Sequence, residues 1–259
     1  EDASFTFERD VKVGIDNLAE RLGAITFFQG AGSFADKTER LGKLVEALGG
    51  GEAALEAARL AKADQASELV REFTELEGHI GGEYARLAGY PEAVSAAIDE
   101  QYLPDGADAP LPQTETGRVL SAADKIDTLN VSFGLGQRPT GSRDPYGLRR
   151  AAIGLDRLAM EGSLFIPREL MDPEVAEFVE ERFEGLLEAP VEYVRAARRA
   201  SVRDLGGVAR LAQALADLPE ERFAPIHTAY IRASRLAERE GGAAAQLDSA
   251  LLIEEAEVE

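Results

Sequence analysis

Apolar residues recur at helical spacing along most of the chain, and no stretch sustains the alternation of a strand. Val13, Leu18, Leu22 and Ile25 follow one another at helical intervals, and Leu41, Leu44, Val45 and Leu48 share one face of a helix expected over 34–48. Such spacing puts one apolar stripe against a core. Gly49-Gly50-Gly51 breaks the pattern. Further helices are expected over 52–73, 75–87, 91–103, 117–133, about 145–161, 173–187, 190–200, 204–216 and 219–239. Phe5-Thr6-Phe7-Glu8 alternates too briefly to define an element. The Gly81-Gly82 pair is costly inside a helix and implies close packing or a kink. The expected class is all-α.

The chain has 259 residues, no Cys and a net charge of −20. Without Cys there is neither a disulfide framework nor a thiolate metal site, which suits a reducing cytosol. No apolar run is long enough to span a membrane, and no signal peptide is visible. The first residue is Glu1, not Met, so the chain is expected to be a piece of a longer protein. The negative charge opposes nucleic-acid binding as a whole, since phosphate affinity comes from Lys and Arg. It does not forbid a local basic stripe.

One such stripe follows a glycine-rich loop, Pro139-Thr140-Gly141-Ser142-Arg143-Asp144-Pro145-Tyr146-Gly147. Asp144 is suited to cap a helix and Pro145 to occupy its first position. Leu148, Ala152, Leu155 and Ala159 then form an apolar face. Arg150, Gly154 and Arg157 form a second one, and the glycine between two guanidinium groups is expected to admit an anionic partner. Five arginines between residues 134 and 158 (Arg138, Arg143, Arg149, Arg150 and Arg157) face two Asp, a local +3. On pattern alone the commoner meaning is a solvated helix face. Arg195, Arg198, Arg199 and Arg203 form a second cluster, open to the same two readings.

These residues resemble part of the beta subunit of bacterial two-subunit glycyl-tRNA synthetase. So does Gln29-Gly30-Ala31-Gly32-Ser33-Phe34-Ala35-Asp36-Lys37-Thr38-Glu39-Arg40. Ala61-Lys62-Ala63-Asp64, Glu72 to Gly78, Gly81 to Ala85 and Ala122-Ala123-Asp124-Lys125-Ile126-Asp127-Thr128-Leu129 resemble further blocks of that family, in the same order. The resemblance implies a tRNA-handling part of a glycine–tRNA ligase in the cytoplasm, with an alpha subunit as partner. No membrane or DNA partner is implied. It places the chemistry, and the ATP with Mg that the whole enzyme uses, on the alpha subunit, and no cofactor or catalytic residue here.

The first part also resembles the HD superfamily of metal-dependent phosphohydrolases. Fitted to that pattern, Lys37 and Ala63 stand where the two metal-binding His belong, while Asp64 and Asp124 keep the Asp positions. Imidazole binds metal; an ammonium does not. The pocket is therefore expected to hold no metal, with Lys37 or Lys62 supplying the positive charge beside Asp64, Asp124 and Asp127. The implied layout is an HD-like helical domain over 1–161, a helical linker or body domain over 162–246 with a flexible end from 241, and a lead-in to an anticodon-binding domain over 247–259. The rival functions are a working HD-type phosphohydrolase, which needs histidines this chain lacks, and a non-catalytic scaffold between subunits. His79 and His227, the only histidines, are assigned no role. Ser33, Ser142 and Ser201 have no neighbouring His to activate them. Gly134-Leu135-Gly136 follows a helix, unlike a phosphate loop.

Overall fold

The computed structural model describes residues 2–140, 143–144 and 146–219, and positions 221, 224, 225, 228, 229 and 232. The described helices are α1 (Asp2–Val13), α2 (Ile15–Glu20), α3 (Phe34–Ala47), α4 (Glu52–Leu60), α5 (Glu68–Glu72), α6 (His79–Leu87), α7 (Glu92–Glu100), α8 (Glu115–Gly134), α9 (Leu148–Met160), α10 (Pro173–Glu180), α11 (Phe183–Leu186), α12 (Val191–Arg199) and α13 (Leu205–Ala216). No strand occurs among the described residues, only three isolated bridges. The fold is all-α.

Helix α8 is the central rod. Val119, Leu120, Ala122, Ala123, Ile126 and Leu129 are buried on it, and α3, α4, α7, α9 and α10 all pack against it. Its start is capped by Thr114, whose hydroxyl accepts from Gly117 N at 2.9 Å. One connected apolar cluster runs from Ile15 to Ala212, so α9 to α13 share the core of the earlier helices. The helix expected over 219–239 lies largely outside the described residues, and the segments 241–246 and 247–259 lie wholly outside them. The described positions 221, 224, 225, 228, 229 and 232 are helical.

Boundaries differ from expectation for identifiable reasons. Phe5 to Glu8 belong to α1, where Thr6 is buried and the Phe7 ring packs tilted against Tyr84 at a centroid distance of 5.5 Å. The helix expected over 52–73 is divided into α4, a short 3-10 turn at Ala63–Ala66, and α5. The break turns Lys62 and Asp64 into the core, and Ser67 caps the restart by accepting from Val70 N at 3.1 Å. The helix expected over 173–187 is likewise two pieces, α10 and α11. Pro173 opens α10 after Asp172, as the sequence indicates, but the Asp172 side chain makes no cap bond.

Gly81 and Gly82 lie within an unbroken α6, so close packing, not a kink, explains them. A Cβ at Gly82 would lie 2.8 Å from the Ser95 carbonyl oxygen and 2.9 Å from Asp99 Cβ. These contacts belong to α7 and cannot rotate away. Gly82→Ala is expected to cost about 1–3 kcal/mol through overpacking, outweighing the gain of under ~1 kcal/mol in helix propensity. Denaturant unfolding of the two proteins measures it, and equal midpoints would refute the packing account.

Candidate nucleic-acid interface and the buried lysine network

Two lysines are buried where α3, α4 and α8 meet. Ser33 starts α3 with a capping box: its hydroxyl accepts from Asp36 N at 3.2 Å, while the Asp36 carboxylate accepts from Ser33 N at 2.7 Å. One residue on, Lys37 points inward and is only 2% exposed. Its Nζ lies 3.0 Å from Asp124 Oδ1, 2.9 Å from Asp127 Oδ2 and 3.1 Å from Thr128 Oγ1, with the Phe27 ring 4.3 Å away. Lys62 is 1% exposed, and its Nζ lies 2.8 Å from Asp124 Oδ1 and 2.6 Å from Gln101 Oε1, over the Tyr102 ring at 4.2 Å. Arg40 grips Asp127 from the outer side through Nε and Nη2.

The structure therefore joins Lys37, Lys62, Asp124 and Asp127 in one ion-paired group. Asp64 sits beside it, turned toward α6: its Oδ2 accepts from Gly78 N at 2.6 Å, and its Oδ1 is buried without a hydrogen-bond partner. Burial pushes the Asp64 carboxyl up to about 6, against the opposing pull of the Gly78 N–H and Lys62. Burial also acts on Asp124, but Lys37 and Lys62 outweigh it and hold that carboxyl well below the usual range. Lys62 is lowered by burial, and Lys125 is brought down to about 8 for the same reason. The ammonium of Lys37 occupies the space between Asp124 and Asp127, so a divalent ion there would first have to displace it. Among the described residues no group of three or more His, Cys, Asp or Glu is arranged to hold a metal.

Arg40, Gln101, Tyr102 and Lys125 complete the surroundings and escaped the sequence reading. Lys125 was legible in principle, as the residue after Asp124. Its Nζ donates to the carbonyls of Tyr102 and Leu103 at 3.1 and 3.0 Å and to Ser121 Oγ at 2.9 Å. His79 is exposed on α6 with Nδ1 3.1 Å from Asp99 Oδ1, and His227 and Ser142 lie outside the described residues.

The arginine helix starts later than expected. The first residue of α9 is Leu148, preceded by Gly147 in the left-handed conformation (φ 64) that favours glycine. Asp144 still caps it from a distance, with Oδ1 accepting from Leu148 N at 2.8 Å and Oδ2 from Arg149 N at 3.0 Å. Pro145 lies outside the described residues. Leu148, Ala152, Leu155 and Ala159 are buried as the spacing requires.

The five arginines separate. Arg150 and Arg143 are exposed, and Arg149 is half-buried. Arg138 is bidentate to Glu174. Arg157 is 9% exposed; its Nη1 donates to the carbonyls of Gly106 and Ala109 at 3.1 and 2.6 Å, and its Nε to Glu161 at 2.7 Å. The opening expected at Gly154 is filled: a Cβ there would lie 2.5 Å from Lys125 Cε and 3.0 Å from the Pro104 carbonyl oxygen. The Lys125 stem occupies the gap. Asp156 is fully buried and held by that burial well above the usual carboxylate range, so the local charge sum of +3 misstates this face.

Arg150 instead borders a cavity of about 350 Å³ with Glu77, Tyr102, Asp105, Asp124, Lys125, Thr128, Tyr146 and Gly147 in its walls. It opens beside the ion-paired group. The second arginine cluster borders a larger groove of about 760 Å³, where Arg195 pairs with Glu184 at 2.9 Å and Arg168 with Glu180 at 2.6 Å.

The glycyl-tRNA synthetase beta subunit family model matches residues 1–217. The chain belongs to that family. It is 40% identical over 247 residues to the glycine–tRNA ligase beta subunit of Azotobacter vinelandii, covering 85% of this chain and 36% of that protein. It is 47% identical over 177 residues to the one from Nitratidesulfovibrio vulgaris, covering 66% and 25%. For Desulforamulus reducens the identity is 38% over 269 residues, covering 91% and 39%. The chain thus spans no more than about two fifths of the length of these curated relatives. No helix among the described residues is long and apolar enough to cross a membrane.

Two stability tests address the ion-paired group of this family member. Lys37→Met leaves Asp127 and Asp124 buried with one cation fewer, and a cost of about 3–5 kcal/mol is expected for breaking a buried pair. A variant as stable as wild type in urea would show that the ammonium holds nothing together. Asp64 carries the opposite pH signature to an ordinary paired carboxylate. Its folded value near 6 exceeds the unfolded one near 4, so the folded state binds the extra proton. Its contribution is fully present below about pH 4 and is lost as pH rises through 6. The wild-type minus Asp64→Asn stability difference should therefore fall by up to ~3 kcal/mol between pH 4 and 7. A difference that is flat or rises over that range would overturn the assignment.

Proposed function

We propose that this chain is the tRNA-handling part of a glycine–tRNA ligase, acting in the cytoplasm with a separate alpha subunit. In this reading the alpha subunit uses ATP and Mg to activate glycine, and the present chain holds tRNA for it without a catalytic residue or cofactor of its own. Membership of the beta-subunit family supports the enzyme class. The observation that carries the local reading is the exposure of Arg150 in the first turn of α9 and of Arg143 in the loop before it, in a chain whose net charge is −20. Guanidinium groups left outward in so acidic a chain suit a polyanion. The phosphohydrolase alternative has no such support, because an ammonium stands between the carboxylates that its metal would need.

Among the five candidate arginines the geometry ranks the contacts. Arg143 and Arg150 face solvent, Arg149 lies half-buried between them in sequence, and Arg138 and Arg157 are engaged with Glu174 and with the 106–109 loop. Arg150→Ala in the full-length subunit, assembled with its partner, should weaken tRNA binding. It should also reduce the slope of log affinity against log salt by roughly 0.7–0.9, the value of one phosphate contact. Arg157→Ala should instead lower the melting temperature and leave that slope alone. An unchanged salt slope for Arg150→Ala would remove this face from the tRNA path.

A further inference from the structure

The cavity beside Arg150 is built unlike a plain phosphate clamp. Tyr146 is 42% exposed at its rim, and its ring meets Phe28 edge-on at a centroid distance of 4.9 Å. Phe28 stacks on Phe27 at 4.1 Å, and Phe27 meets Phe34 at 5.4 Å and Lys37 at 4.3 Å. The aromatic row thus runs from the buried ion pairs to the surface and ends in a tyrosine ring held from behind. The loop bearing Phe27 and Phe28 is itself fixed: Phe27 N donates to Gly32 O at 3.0 Å and Phe34 N to Ile25 O at 2.9 Å. Gly30 and Gly32 adopt positive φ of 92° and 84° that permit the turn.

Next to this ring lies the Arg150 guanidinium, whose Nη2 would be 3.0 Å from a Cβ added at Gly147. Gly147 therefore leaves the guanidinium room to lie against the backbone at the cavity edge. Other wall segments contribute acceptors: the carboxylates of Glu77 and Asp105, and the Thr128 hydroxyl. The Lys125 ammonium in the wall is already bonded to the Tyr102 and Leu103 carbonyls and to Ser121 Oγ, so it does not make the cavity a site for a free polyphosphate. At about 350 Å³ the space is at the small end of ligand cavities.

We propose that this cavity takes a single unpaired nucleotide of an RNA strand, its base against Tyr146, its phosphate at Arg150 and its exocyclic amino group donating to Glu77 or Asp105. A mobile single strand can present a base to an aromatic ring; a paired base within a duplex cannot. A, C and G each present an exocyclic amino group to a carboxylate, whereas U has none and offers only its N3–H. The inference rests on the tRNA-handling reading above and deepens it, from a face that meets phosphates to a pocket that captures one base.

The test uses the full-length subunit in its assembled enzyme. Its probes are fluorescent hexanucleotides of A, C and U, a blunt RNA duplex and AMP. Wild type is expected to bind the A and C strands more tightly than the U strand. Tyr146→Ala should weaken binding of the A and C strands by about 5- to 150-fold, the range of one lost stacking contact, with no change in salt slope or duplex affinity. Tyr146→Phe keeps the ring and should bind as wild type does, and thermal melts of both variants check folding. Equal binding of hexamers by Tyr146→Ala and wild type would overturn the inference, as would absence of single-strand binding by wild type. AMP binding as tight as a hexamer, with the same dependence on Tyr146, would also overturn it and mark a free-nucleotide pocket. If Arg150→Ala alters tRNA binding while Tyr146→Ala does not, only the base-capturing inference fails. If neither acts, the tRNA-handling reading of this face fails with it.

Discussion

Burying the ammonium groups of Lys37 and Lys62 is the constraint from which the first two-thirds of the structure follows. A charge removed from water is very costly unless paired and hydrogen-bonded. Both must therefore meet Asp124, and Lys37 must also meet Asp127. Those acids lie on neighbouring turns of α8, so the requirement fixes the register of α3 and of the segment after α4 against one central helix. It also explains why α4 stops at Leu60. Continued helix would not set both Lys62 and Asp64 into the interior as the 3-10 turn does. Gln101 adds a third strut from the end of α7, donating to the Ala61 and Ile98 carbonyls while accepting from Lys62.

The same group organises the surface above it. Phe27 covers Lys37 and passes the contact through Phe28 to Tyr146, while Tyr102 covers Lys62 and forms part of the cavity wall. In the cavity wall Lys125 already donates to three protein oxygens, and the rim carries an aromatic ring and both signs of charge.

The helical class and the apolar face of α9 were legible in the sequence, because Leu148, Ala152, Leu155 and Ala159 repeat with the period of the element they form. Lys37, Asp64 and Asp124 were legible as candidates for one neighbourhood only through family resemblance, since residues so far apart in sequence carry no periodic signal that they meet. The break after α4 was hidden by an Ala-rich run of good helix formers, in which tertiary demand overrides propensity. The arginines were the hardest to sort. Arg150 and Arg157 are two turns apart on one face, yet the carbonyls of Gly106 and Ala109 take up Arg157 while Arg150 stays exposed. Periodicity gives a direction from the helix axis; it cannot say what another segment has laid there.

Gly154 turns that limitation into a mechanical property. The helix pair α8 and α9 is spaced by a shim, the methylene stem of Lys125, and the shim's far end is fastened to the carbonyls of Tyr102 and Leu103. Any side chain at position 154 acts as a wedge against the stem and against the Pro104 carbonyl at once. The displacement would travel along the lysine to the Tyr102 wall, so a residue that touches no ligand sets the gauge of the opening through which one would enter.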